Sequence, residues 1–142
     1  MKDILELKKS YKNLYVAYRP LVGKGFQELA SYIHMCVWNL HKDLFWDFLS
    51  QAVGDYKEKT EEKMYSIANQ MNMDEVSLKT CVLDKRYNEV MEYHKKYAQY
   101  LQISSGPVVF VSGEVLYGSV KVEEIDRILK RKMNLPYAGS WQ

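Results

Sequence analysis

Apolar positions along the chain follow two periods, and the change from one to the other divides it. From residue 25 to residue 101 they recur at i, i+3, i+4 and i+7, the spacing of one helix face. Phe26, Leu29, Ala30, Ile33, Val37 and Leu40 predict a first long helix. Leu44, Phe45, Phe48, Leu49 and Ala52 predict a second, with Asp43 placed to cap it. Met64, Ile67, Ala68 and Met71 predict a third helix. Leu78, Cys81 and Val82, behind Asp74 as a cap, predict a short fourth. Tyr87, Val90, Met91, His94, Ala98 and Leu101 predict a long fifth.

Outside this block the pattern is mixed. Residues 3–11 carry Ile4, Leu5 and Leu7 on a short helical segment. Leu14-Tyr15-Val16-Ala17-Tyr18-Arg19 reads as a strand that ends at Pro20, which cannot continue a central ladder. Pro107 must open a strand, because it lacks an N–H, and Val108-Val109-Phe110-Val111 supplies it. Ser112-Gly113 gives a tight turn, and Val115-Leu116-Tyr117 returns to make a hairpin. Val108, Phe110 and the 115–117 strand are expected to pack and so fix the loop that contains Pro107. Gly118 breaks the run before an amphipathic helix on Val122, Ile125, Ile128 and Leu129. The tail, residues 136–142, has no period and reads as a loosely docked terminus.

Composition narrows the function classes. The 142 residues fit one domain, and 47% hydrophobic content is ordinary for a packed core. Twenty basic and 18 acidic residues are mixed along the chain, so there is no basic stripe for nucleic acid. Lys57-Glu58-Lys59 reads as a solvated face, and Lys130-Arg131-Lys132 as a favourable helix C-terminus. No apolar run is long enough to span a bilayer, and the first residues do not read as a signal peptide. The 12 tyrosines scatter over the helices as packing residues.

Candidate chemistry is sparse. His34, His41 and His94 have no metal-ligand spacing with one another or with the cysteines, so no metal and no cofactor are expected. Glu61-Glu62 and Glu123-Glu124 fall in first helical turns, where the helix dipole favours them. Gly23-Lys24-Gly25 is too short to read as a phosphate-binding loop. Cys36 and Cys81, the two cysteines, read either as a structural disulfide between helices or as buried reduced thiols. His34 stands two residues from Cys36 and so faces away from it on a helix, which argues against a nucleophilic pair.

Several motifs together resemble a known family. Ser105-Gly106-Pro107-Val108-Val109-Phe110-Val111-Ser112-Gly113, followed by strand, Gly118 and helix, resembles the closing half of a thioredoxin fold. A helical block inserted before it, with Phe45-Trp46-Asp47-Phe48-Leu49 and Leu78-Lys79-Thr80-Cys81, resembles the DsbA family of thiol–disulfide oxidoreductases. The family's threonine before the proline is missing here. The resemblance implies an α/β, thioredoxin-like fold of DsbA type with an all-helical insertion, incomplete at the N-terminus. Residues 1–22 and 102–135 would be the thioredoxin-fold parts, 23–101 the insertion and 136–142 the tail.

The same resemblance implies a cis Gly106–Pro107 bond and a substrate loop of Ser105, Gly106, Pro107 and Val108. It implies a disulfide between Cys36 and Cys81, with their Cα atoms within about 7 Å. The partner would be an extended peptide or protein substrate, and the family suggests an extracytoplasmic address. Family enzymes exchange disulfides through Cys-x-x-Cys after a first core strand, and this chain contains no Cys-x-x-Cys. In the family that strand lies between those matching 14–19 and 108–111. The implied chain is therefore the carboxy-terminal part of a longer gene, unless a second chain completes the sheet or the two remaining strands pair directly. No residue of this chain is expected to be catalytic. A non-catalytic thioredoxin-fold module that binds a peptide or partner strand is the alternative. A relative of the kappa-class glutathione transferases is a further one.

Overall fold

The computed structural model describes residues 2–54 and 60–133. The helices are α1 Lys2–Ser10, α2 Phe26–Leu40, α3 Phe45–Gly54, α4 Glu61–Gln70, α5 Glu75–Leu83, α6 Asn88–Tyr100 and α7 Val122–Met133. The strands β1 Val108–Val111 and β2 Glu114–Tyr117 form a two-stranded antiparallel sheet. These elements belong to two compact units, one containing Ala17–Gln102 and the other Asp3–Val16 together with residues 103–133.

The first unit is helical because its apolar residues meet on facing stripes. Ile33, Cys36 and Val37 of α2 are buried with Phe48 and Leu49 of α3, Ile67 and Ala68 of α4, and Leu78 and Cys81 of α5. Capping fixes where these helices begin. Thr60 accepts the Lys63 N–H at 3.2 Å ahead of α4. Asp74 accepts the Val76 N–H at 3.1 Å and the Ser77 hydroxyl at 2.6 Å ahead of α5. Asn72, at φ 61°, turns the chain out of α4 in the left-handed region that asparagine tolerates better than most residues. Thr60→Ala is expected to cost about 1 kcal/mol, the usual loss for a helix cap, read as a lower urea midpoint at unchanged slope.

The second unit packs α1 and the hairpin around α7. Ile125, Ile128 and Leu129 of α7 are buried with Val111, and Ile4, Leu7, Tyr11, Leu14, Val109 and Leu116 pack against them. Tyr11 donates its hydroxyl to the Asp126 carboxylate, which Lys130 also approaches at 2.9 Å. The basic Lys130, Arg131 and Lys132 occupy the last turn of α7 and Glu123 and Glu124 its first, in keeping with the dipole. Arg131 also pairs with Glu114 of β2.

Two expectations are corrected. Residues 14–19 form no strand, although their burial alternates with period two: Leu14, Val16 and Tyr18 are partly covered, and Tyr15, Ala17 and Arg19 are exposed. Alternation shows extended backbone, but a strand needs a ladder, and no described segment pairs with it. Asp43 does not cap α3; it lies inside a single 3₁₀ turn, Lys42–Leu44, that leads into the helix. The 136–142 tail and Lys57-Glu58-Lys59 lie outside the described residues.

Candidate functional site

The Pro107 loop is built by the hairpin that follows it. Ser112 and Gly113 have φ of 46° and 90°, the positive pair that a twist-matched two-residue turn requires. The register is Val108 to Tyr117, Val109 to Leu116, Phe110 to Val115 and Val111 to Glu114. The Gly118 N–H donates to the Pro107 carbonyl at 2.9 Å and extends the ladder by one step. Hydrogen-bonded pairs alternate along an antiparallel ladder. The Pro107, Val109 and Val111 backbones therefore face β2, and the Val108 and Phe110 backbones face outward. Among the described residues neither outward pair of N–H and C=O groups meets a backbone partner. Pro107 sits where its missing N–H affects only the β2 side, so the outer edge keeps its donors.

The Gly106–Pro107 peptide is cis. Ser105, Gly106 and Pro107 are exposed, and Val108 is partly covered. The loop and edge thus present backbone and little side chain. Among the described residues the Ser105 hydroxyl has no basic residue paired with it.

Leu116 packs as expected, but Phe110, Val115 and Tyr117 do not form a fixing layer. Phe110 remains 53% exposed and Tyr117 76% exposed. Alternation places Val109, Val111 and Leu116 against α7, and among the described residues of this unit no second layer covers the opposite face, which carries Val108, Phe110, Val115 and Tyr117. Sequence reasoning missed that exposed face because β-branched and aromatic residues on both faces read as a strand buried on both sides.

The cysteines occupy the helical unit. Cys36 of α2 and Cys81 of α5 form a disulfide with Cα atoms 6.1 Å apart, and both residues are fully buried. His34 is buried with its Nδ1 3.0 Å from the Tyr18 hydroxyl, whose pKa burial pushes up to about 12. His41 ends α2. Among the described residues no group of three or more His, Cys, Asp or Glu could hold a metal, and no helix is long and apolar enough to cross a membrane.

One cationic feature was not legible in sequence. The Arg19 guanidinium lies 4.3 Å from the Tyr97 ring centre and 5.8 Å from that of Tyr93. Burial first, and the Arg19 charge second, hold the pKa of His94 below its ordinary value. The folded state therefore binds this proton less readily than the unfolded chain. The stability His94 contributes is present above its ordinary pKa and is lost as pH falls through the depressed one. Arg19→Gln is expected to raise the His94 midpoint in an NMR titration; an unmoved midpoint would remove Arg19 as a cause.

The family described as Thioredoxin matches residues 2–131. No curated protein and no solved structure matches the chain. With residues 2–131 inside that match and a strand–turn–strand–helix order at its close, the chain belongs to the thioredoxin family, with a thioredoxin-like fold of mostly helical content.

Proposed function

We propose that this chain is the carboxy-terminal, peptide-holding portion of a DsbA-like thiol–disulfide oxidoreductase, without disulfide-exchange activity of its own. The observation that carries the reading is the exposed Ser105–Pro107 loop, which presents backbone just ahead of β1. An extended peptide pairs with the loop backbone at Gly106 by main-chain hydrogen bonds, and its side chains on alternate positions supply selectivity. Gly106 lets the peptide backbone come close, and, with no side chain before the proline, contributes little selectivity.

Exchange chemistry needs an accessible thiolate with a resolving partner. The sequence has no Cys-x-x-Cys, and Cys36 and Cys81 are joined and buried. A buried structural disulfide fits an oxidising, extracytoplasmic compartment. A labelled extended peptide is expected to bind with an anisotropy change that Gly106→Val, which bars close approach of the peptide backbone to the loop, weakens. The same preparation should reduce insulin no faster than a thiol-free control. Absence of peptide binding sinks the reading, and so does turnover that Cys36→Ser abolishes.

The missing Cys-x-x-Cys favours a second reading, a non-catalytic module that uses the Pro107 loop and the outer edge of β1 to hold a peptide or partner strand. The nucleotide sequence upstream of Met1 separates the two. An in-frame strand ending in Cys-x-x-Cys supports the oxidoreductase, and a stop codon supports the module.

A further inference from the structure

We propose that the cleft between α4 and α5 binds an organic cation with paired alkylammonium groups, supplied by a free polyamine or by adjacent lysine side chains of a protein. The cleft lies in the helical unit and holds about 450 Å³. Glu61, Glu62, Tyr65, Ser66 and Asn69 line it from α4, and Glu75 and Lys79 from α5. Positions 61, 62, 65, 66 and 69 share one stripe of α4, and 75 and 79 stand one turn apart on α5. Three carboxylates against one ammonium leave the cleft a charge of −2. Lys79 pairs with Glu75 at 2.8 Å and sets its Nζ 5.2 Å from the centre of the Tyr65 ring. The cleft thus already holds one ammonium group between a carboxylate and an aromatic face. Glu61 and Glu62 have no cationic partner among the described residues, and they are the two charges left over.

Tyr65 points to a ligand independently of these charges. It is only 5% exposed, yet its hydroxyl makes no hydrogen bond among the described residues, whereas buried tyrosine hydroxyls usually find a partner. Burial first, then the charges of Glu61 and Glu75, hold its pKa above the ordinary value, which sets the hydroxyl in the field of the cleft's carboxylates. Its oxygen is left to accept from a ligand ammonium. Asn69 donates Nδ2 to Glu75 at 3.3 Å, which leaves its carbonyl oxygen to accept as well. Among the described residues no three carboxylates converge closely enough to hold a metal ion. Dispersed carboxylates suit a longer cation whose charge sits at two ends. The site uses none of residues 105–108, so it stands or falls apart from the peptide reading.

Diaminobutane titrated into the isotope-labelled intact chain at low salt is expected to shift the amides of residues 61–69 and 75–79 to saturation. Butylamine, with one ammonium, should bind about tenfold more weakly, because one charge-assisted contact is lost. Tyr65→Phe keeps the ring, removes the hydroxyl and should weaken binding about fivefold. Lys79→Gln removes the resident ammonium and should tighten binding about threefold. Lys96→Gln, on α6 and outside the cleft, should leave the affinity unchanged. Acetylated dilysine amide in the same titration separates the two sources. Tighter binding by the dipeptide assigns the site to a protein, and tighter binding by the diamine assigns it to a free polyamine. Shifts that rise without saturating, or that spread over acidic residues outside the cleft, overturn the proposal. So do equal affinities for diaminobutane and butylamine, or an affinity that neither Tyr65→Phe nor Lys79→Gln changes.

Discussion

Phe48→Ala is expected to destabilise the helical unit by about 3–5 kcal/mol, the usual range for emptying a fully buried phenylalanine site. Phe48 is fully buried, with the ring of His34 standing edge-on at 6.2 Å and the side chains of α2, α4 and α5 in the same cluster. The cavity cannot close cheaply, because the disulfide ties α2 to α5 and limits how far either helix can move inward. Small domains have only about 5–15 kcal/mol in total, so this one change removes a large share of it. Urea unfolding followed by circular dichroism measures the loss. Phe48→Leu, which keeps most of the volume, should cost much less. Phe110→Ala, on the uncovered face of the hairpin, should also cost far less, although both residues are phenylalanines in strongly apolar runs. Equal losses at 48 and 110 would mean that the burial assigned to the two sites is wrong.

That contrast shows where sequence was informative. Long amphipathic runs fix a helix and its buried side together, so Ile33 and Val37 of α2 and Ile125, Ile128 and Leu129 of α7 were legible from spacing alone. The hairpin was legible because Pro107 and the Ser112-Gly113 turn leave few backbone alternatives. Residues 14–19 were misread because strand pattern reports extended backbone and says nothing of whether a neighbour exists to complete a ladder. Asp43 was misread as a cap because a carboxylate just ahead of a helix and one inside a 3₁₀ turn look the same in sequence. At the candidate site, the loop residues 105–108 were visible in the motif. The uncovered Phe110 and Tyr117 were not, since coverage depends on which layers pack against a sheet. The Arg19 contact with Tyr93 and Tyr97 was hidden for a similar reason, because it joins residues more than seventy positions apart.

Replacing both Cys36 and Cys81 by alanine is expected to cost roughly 4 kcal/mol from the unfolded chain alone, for a closed loop of this length. The sequence separation is 45 residues, and the crosslink joins α2 to α5 within the buried cluster of the helical unit. Alanine also removes two buried sulfurs, so the native state loses packing in addition to the entropy the unfolded chain regains. The loss should appear as a fall in Tm of roughly 10–20 °C. Reduction gives an independent reading of the same bond. With both residues fully buried, dithiothreitol can attack only after the helices open, so reduction in native buffer should be slow and should accelerate steeply with urea. Rapid reduction at zero urea would place the sulfurs at the surface. A stability loss below about 1 kcal/mol would show that the crosslink constrains little of the unfolded chain. If reduction proves slow and the loss near 4 kcal/mol, the bond is a fastener of the helical unit, and any thiol that exchanges with a bound peptide must come from outside this sequence.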